Sequence, residues 1–250
     1  MSTKDSLGDR MKIYEDAYRL KLPIRMPVII RVDGKAFHSY TKGCEKPFDQ
    51  DLIDCINDVA TYLCSNVQGC QLAYVQSDEI SLLLNNYTTL ETQSWFDNNL
   101  QKMVSVSAGM ASAVMTGVSH KLFGVYKLAV FDSRAFVLPK EEVCNYFIWR
   151  QQDATRNSVQ MLARSLYSHK ECNNKNNSAL QEMCFQKGFN WNNCPTTQKR
   201  GRCIVKTKTM KDSTNHFTGE KEVVERSEWV VDNEIPVFSS DRNYIEKLVF

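Results

Sequence analysis

The stretch Gln71-Leu72-Ala73-Tyr74-Val75-Gln76-Ser77-Asp78-Glu79-Ile80-Ser81-Leu82-Leu83-Leu84 decides how the rest of the chain is read. Two strand-forming runs flank three hydrophilic residues, the pattern of a β-hairpin with an acidic tip. Upstream, Val28-Ile29-Ile30-Arg31-Val32 is a β-branched run ending at the turn pair Asp33-Gly34. Between these strands Asp49 opens a helix with Leu52, Ile53, Ile56, Val59, Ala60 and Leu63 at helical spacing, and Gly69 stops it. Downstream, a second helix is expected from Trp95 to Val118, with Leu100, Met103, Val104, Ser107, Ala111, Val114 and Val118 on one face. Its small residues (Ser105, Ala108, Gly109, Ser112, Ala113) would let the backbone pack closely on a sheet. Lys127-Leu128-Ala129-Val130-Phe131 reads as a fourth strand, and Lys12 to Leu22 as a leading helix.

The order β-α-β-β-α-β predicts an α+β fold. It is a split βαβ, ferredoxin-like unit: four antiparallel strands with both helices on one face. The first strand is expected in the centre, beside the strand that enters the hairpin, which would bring Asp33 next to the turn carrying Asp78. Residues 1–139 form this core. Residues 140–250 add an extension of helices and a β-hairpin, packed with the core. Its parts are a helix from Glu141 to Ser168 (core residues Val143, Phe147, Ile148, Val159, Leu162, Leu166), a loop from Glu171 to Ser178, and a short helix from Gln181 to Gln186 ended by Gly188. Ile204–Lys208 and Val223–Val231 read as the hairpin, with its tip around Asn215 and Gly219.

Bulk composition narrows the partners. With 31 basic and 29 acidic residues the net charge is only +2, so any case for nucleic acid rests on local clustering. Nine cysteines, none spaced Cys-x-x-Cys, fit reduced thiols in a cytoplasmic protein better than a disulfide framework or a zinc site. Met1 to Arg10 has no apolar signal core behind it, and no apolar run approaches the roughly 20 residues of a membrane span.

Two carboxylates at one strand junction pose an electrostatic problem. At about 5 Å and an effective dielectric near 20 they repel by roughly 3 kcal/mol. Protonation, a basic partner or a bound cation resolves this. Hard oxygen ligands beside a turn suit magnesium, which completes its shell with water and substrate phosphates, and two such ions support phosphoryl transfer. The turn Gly34-Lys35-Ala36-Phe37 can present N–H groups to phosphate, with Phe37 offering a ring to a base. His38 either bonds a phosphate or sugar or is an ordinary loop histidine. Lys46 either meets phosphate near the helix start at Asp49 or is simply solvated. Arg134 either reaches a triphosphate or pairs with Asp132. Lys187, Lys199, Arg200, Arg202, Lys206, Lys208 and Lys211, near Phe189 and Trp191, form either an RNA-contact surface or a solvated face.

Taken in order, Arg31-x-Asp33-Gly34-Lys35-x-Phe37-His38, Lys46-Pro47-x-Asp49, Gln76-Ser77-Asp78-Glu79, Phe131-Asp132-x-Arg134, Trp149-Arg150-Gln151-x-Asp153 and Asn190-Trp191-Asn192 resemble the histidine-tRNA guanylyltransferase family. The resemblance implies a polymerase palm-like core that adds nucleotides 3′-to-5′ at a tRNA 5′ end. Its course would be activation of the 5′-monophosphate with ATP, attack by an incoming nucleotide's 3′-hydroxyl and loss of pyrophosphate. It implies two Mg2+ ions on Asp33, the Gly34 carbonyl and Asp78, with Glu79 beside them as a further catalytic carboxylate or outer ligand. Asp33, Gly34, Lys35, Ala36, Phe37, His38, Lys46, Ser77, Asp78 and Arg134 would contact nucleotide. Arg150, Asn157, Lys175, Lys199 and Arg200 would face tRNA or triphosphate. Implied partners are tRNA, ATP, GTP and other nucleoside triphosphates, and the implied assembly is a homotetramer.

One departure sets the branch. Where eukaryotic members carry His-x-Asn-Asn, this chain has Thr155-Arg156-Asn157-Ser158. This is similar to the guanylyltransferase-like branch of bacteria, archaea and phages, whose implied activity is template-dependent repair of 5′-truncated tRNA. The competing expectations are a dedicated enzyme adding G to histidine tRNA, a nucleotidyl cyclase on the same palm, and a non-catalytic RNA-binding module.

Overall fold

Asp33 sits at the end of a central strand because the chain around it builds one six-stranded antiparallel sheet. The computed structural model describes residues 6–214 and 221–250. The strands are β1 (Val28–Gly34), β2 (Cys70–Gln76), β3 (Glu79–Leu84), β4 (Phe131–Val137), β5 (Arg202–Thr214) and β6 (Lys221–Asp232), in spatial order β4-β1-β3-β2-β5-β6. The helices are α1 (Leu7–Asp16), α2 (Phe37–Tyr40), α3 (Gln50–Asn66), α4 (Leu100–Val118), α5 (His120–Phe123), α6 (Lys140–Leu166), α7 (His169–Cys172), α8 (Asn177–Gln186), α9 (Thr196–Arg200) and α10 (Asn243–Glu246).

The split βαβ order is present, with one correction. β1 neighbours β3, the strand leaving the hairpin, rather than β2, which enters it. Asp33 is therefore the direct cross-strand partner of Glu79 and, on the other side, of Asp132. The hairpin β5–β6 extends the sheet beyond the four core strands, because β5 pairs with β2 from Leu72↔Val205 to Val75↔Arg202.

Strand alternation divides the core between two faces. Val28, Ile30 and Val32 pack with α3 and α4, through Ile56, Val59, Leu63, Met103, Ala111 and Met115. Ile29, Leu72, Tyr74 and Leu83 face the other way, onto Val143 and Phe147 of α6 and Phe238 near the C-terminus. The two core helices α3 and α4 share one face, as the split βαβ pattern predicts, and α6 of the C-terminal extension covers the other. Asp33 and Glu79 share the parity of Ile29 and Leu83, so the acidic cluster opens beneath α6.

Several element ends differ from expectation, each for a local reason. α1 starts at Leu7 because the Ser6 side chain accepts from Asp9 N, and the chain near Lys21 instead forms a bridge to Asn99. α4 begins at Leu100 because Asn99 caps it by accepting from Lys102 N, while Trp95–Asn98 is a tight 3₁₀ turn. On α4, Met103, Ser107, Ala111 and Met115 are buried, whereas the small residues Ser105, Gly109 and Ala113 face outward. The fourth strand lies four residues later than predicted. Its lead-in gives the N–H groups of Lys127, Ala129 and Phe131 to hydroxyls of Ser119, Thr116 and Ser112 on or just beyond α4, so those donors are lost to a ladder. The predicted loop at 171–178 shrinks because Ser168 and Glu171 form a capping box and Asn176 caps α8. The expected hairpin tip around Asn215 and Gly219 lies outside the described residues.

Candidate functional site

β1 delivers Asp33 and Gly34, and the β2–β3 turn delivers Ser77 and Asp78, to one end of the sheet. Two non-glycine residues there hold left-handed backbone: Ala36 at φ 54 and Ser77 at φ 46. Such strain persists only where the surroundings over-determine it, and it concentrates at functional sites. Gly34 has a packing reason of its own. A Cβ there would collide with the Phe37 ring, which folds back under the strand end.

Asp33 and Asp78 both line a cavity of about 620 Å³ together with Arg31, Gln76, Ser77, Glu79, Trp149, Arg150, Asp153 and Asn157. Four carboxylates crowd this end of the sheet, and two have their own cations. Glu79 accepts a bidentate pair from Arg150, Nε to Oε1 and Nη2 to Oε2, each 2.7 Å, and a third hydrogen bond from Gln76 Nε2 to Oε1 at 3.2 Å. Asp132 is paired with Arg134 at 3.2 Å. Asp33 makes no side-chain hydrogen bond or ion pair among the described residues, and Asp78 accepts from the Ser77 hydroxyl at 2.9 Å and from its own backbone N–H.

Electrostatics follow from that inequality. Burial raises the pKa of Asp33, and the carboxylates of Glu79 and Asp132 add to it. Burial pushes Asp78 up to about 6 against the hydrogen bond from Ser77, and Asp33 and Glu79 push the same way. These are two hard-oxygen donors left short of positive charge. Among the described residues no group of three or more His, Cys, Asp or Glu side chains could hold a metal. Two carboxylates plus a backbone carbonyl nevertheless suit magnesium, whose other positions go to water and phosphate. The donor set fits that ion and does not fit zinc. All nine cysteines are free.

A second cavity of about 570 Å³ shares Gln76, Ser77, Asp78, Asn157, Met161 and Arg164 with the first. The remainder of its wall includes His38, Lys46, Pro47, Phe48, Leu52, Ala154, Ser158 and Arg202. Its size is that of a small-molecule site. Lys46 stands beside the N-terminus of α3, where Asp49 Oδ1 accepts from Leu52 N at 2.9 Å.

The other nominated residues divide by position. Phe37 touches the second cavity but is a core residue, 5% exposed and packed between Tyr40 and Phe131 at 4.7 and 4.9 Å. Phe48, half-buried in the same wall, is the ring available for stacking. Lys35, Ala36 and Arg134 line neither cavity. Arg150 lines the first cavity, is 7% exposed at its side chain, and gives Nε and Nη2 to Glu79 and Asp153. Glu79, held by that arginine, is a positioning residue rather than an open ligand. Asn157 lies in both cavities. Lys175 lines a separate cleft with His169 and Asn173, joined to the main site only through Gln160 and Arg164. Lys199 donates to the Asn192 carbonyl, and Arg200 gives its carbonyl to the Tyr74 hydroxyl. Of the other basic groups, Lys208 pairs with Glu225 and Lys206 lies over Trp229.

Sequence reading did not place Phe48, Met161, Arg164 or Arg202 in the site. The first sat unremarked inside the motif Lys46-Pro47-x-Asp49. The second and third carry no local signal, because their place depends on how α6 crosses the sheet. Arg202 stands in the sequence only as one member of a basic run.

The family profile for tRNAHis guanylyltransferase (Thg1) matches residues 8–139. A bacterial tRNA(His) guanylyltransferase-like protein solved with ATP is 50% identical, with a TM-score of 0.87, over 98% of this chain and 99% of its own. The structure of a bacterial protein of that description with GTP is also 50% identical, with a TM-score of 0.82, over 98% of this chain and 100% of its own. The tRNA(His) guanylyltransferase of Debaryomyces hansenii is 29% identical over 198 residues, covering 72% of this chain and 73% of that protein.

Proposed function

Because the chain belongs to the tRNA(His) guanylyltransferase family, we propose that it adds nucleotides 3′-to-5′ at the 5′ end of tRNA, repairing truncated ends by copying the opposite strand. One observation carries the reading. Asp33 and Asp78, which unlike Glu79 and Asp132 form no ion pair among the described residues, line a cavity that shares its wall with a second, nucleotide-sized one.

In this reading Asp33, Asp78 and the Gly34 carbonyl hold two Mg2+ ions. Magnesium bound there would neutralise triphosphate charge and favour ionisation of the attacking hydroxyl. Ser77 orients Asp78 through its hydroxyl. The wall formed by Pro47, Phe48 and Leu52 takes the base, and His38, Lys46 and Asn157 lie within the same cavity to bind sugar and phosphate. ATP first activates the tRNA 5′-monophosphate with release of pyrophosphate. The 3′-hydroxyl of the incoming nucleotide then attacks that phosphorus, forming the new bond and releasing AMP.

Templated repair is favoured over dedicated addition of G to histidine tRNA by the α6 segment. Thr155 turns its hydroxyl back onto the Gln151 carbonyl of its own helix at 3.0 Å and offers no imidazole. The test is incorporation of labelled nucleotides into 5′-truncated tRNAs that differ in the opposing base. The added base is expected to follow the opposing one. Addition of guanosine alone would establish the dedicated reading instead. Cyclic nucleotide formed from GTP without RNA would replace both with a cyclase, and tRNA binding without any turnover would leave a binding module.

The same reading includes a homotetramer in the cytoplasm. α1 buries none of its residues, and its Leu7, Ile13 and Tyr14 are 66%, 66% and 70% exposed. A second copy would cover that face. Among the described residues no helix is long and apolar enough to cross a membrane. Light scattering should give four times the 28.8 kDa chain mass. A monomer at micromolar concentration would sink this part.

A further inference from the structure

Arg31 lines the first cavity from β1, two residues before Asp33, and residues two apart on a strand share a face about 7 Å apart. It is half-buried, its Nε is closed off from solvent, and its side chain makes no hydrogen bond or ion pair among the described residues. The neighbours explain why. Its cross-strand partner on β3 is Ser81, whose hydroxyl lies 2.8 Å from the Tyr146 hydroxyl. Its partner on β4 is Arg134, another cation, already paired with Asp132. Glu79 and Asp153, the other carboxylates in the cavity wall, are held by Arg150.

A cation that served only to offset the acidic end of the sheet would sit against one of its carboxylates. Arg31 sits against none. A buried donor without a partner costs free energy, so the arrangement fits an anion that arrives from outside. Position says which one. Nucleotide addition joins two substrates, and two cavities meet here along Gln76, Ser77 and Asp78. The second has His38 and Lys46 in its wall for the incoming nucleotide, and Arg31 is not part of that wall. The first has Arg31, Asp33 and Trp149, whose ring lies 4.4 Å from the Arg150 guanidinium yet stays 49% exposed. An exposed indole held in place is a stacking platform for an end base. The arginine fork matches the oxygens of a phosphate monoester.

We infer that Arg31 binds the 5′-phosphate of the RNA end, which occupies the first cavity while the incoming nucleotide occupies the second. The inference rests on the reading that this site joins a nucleotide to an RNA end, and it gives each substrate its own cavity. A site built to hydrogen-bond a group penalises the analogue lacking it, because its own donor is then left unpaired. A hydrogen bond from a charged donor corresponds to about tenfold in affinity or somewhat more.

The experiment is equilibrium binding of one 5′-truncated tRNA, ending in either a 5′-monophosphate or a 5′-hydroxyl, to the full chain, to Arg31→Met and to Arg31→Lys. Mg2+ is present and nucleotide is left out, so no turnover enters the readout. The unaltered protein should bind the phosphorylated end about tenfold or more tightly than the hydroxyl end. Arg31→Met should shrink that ratio by about tenfold while its affinity for the hydroxyl end stays within about twofold. Arg31→Lys, which keeps the charge and loses the fork, should fall between the two. A structural role alone would weaken both RNAs together and leave the ratio intact, which would overturn the inference. Equal, tight binding of the two ends by the unaltered protein would also overturn it, even if no variant folds, and would leave the RNA-end reading standing. Binding of neither RNA would overturn that reading and this inference with it.

Discussion

Asp78→Asn is expected to raise the melting temperature of the metal-free protein at pH 8 while cutting nucleotide addition by about a thousandfold or more, the several kcal/mol that lost metal chemistry represents. The two effects share a cause. In the folded chain Asp78 is pushed up to about 6 by burial and by neighbouring carboxylates, so its charged form is disfavoured. A carboxyl whose folded pKa is raised contributes stability below its unfolded pKa and loses it as pH rises through about 6. At pH 8 the ionised side chain is therefore a burden. The neutral amide removes it, adding about 1–2 kcal/mol after allowance for solvent screening, or a few degrees in melting temperature. Near pH 4 the two proteins should melt alike. Added magnesium should reverse the order at pH 8, since only the carboxylate gains an ion. Asp33, raised for the same leading reason, should behave in the same direction. Thermal unfolding with and without magnesium, beside the addition assay, checks this. An Asn variant that melts lower without metal, or that keeps turning over, refutes the assignment.

The largest loss of stability should come from the buried pair behind the site. Arg150→Met strands Glu79 without a cation where its side chain is 11% exposed, and Glu79→Gln leaves Arg150 with Asp153 as its one remaining ion-pair partner among the described residues. Each single change should cost about 3–5 kcal/mol in urea unfolding, whereas the double replacement Glu79→Leu with Arg150→Met should recover much of that. Activity should fall in the singles as well, because Glu79 immediately follows Asp78 and fixes the strand that carries it. Single variants within about 1 kcal/mol of the unaltered protein would show that the pair does not hold the hairpin. A double variant as unstable as the sum of the singles would show that the two residues act separately.

Much of the frame is readable from local chemistry. β1, the β2–β3 hairpin and α3 announce themselves through β-branched runs, an acidic turn and an aspartate that caps at the place expected. The ordered motifs also point to the family that the comparisons establish. Local pattern and structure part where a side chain elsewhere captures a backbone group. Lys127 to Val130 has the composition of a strand, yet hydroxyls on or just beyond α4 take the N–H groups of Lys127 and Ala129, and the strand begins only at Phe131. Trp95 looks like the start of a helix until Asn99 proves to be its cap.

The pairing of acids with bases was equally hidden. Arg150 and Lys175 look alike to a reader of motifs. In the fold the first is consumed by Glu79 and the second lies in a different cleft. Phe37 and Phe48 are both aromatic, and only their packing tells core from cavity wall.

What the chain's own order determined is which residue types can do chemistry and which runs form strands and helices, since those depend on neighbours a few positions away. The tertiary structure decided which carboxylates remain without a counter-charge and which arginine is left without one. Charge balance is a property of distance in space, and α6 and β5 reach the site from far along the sequence.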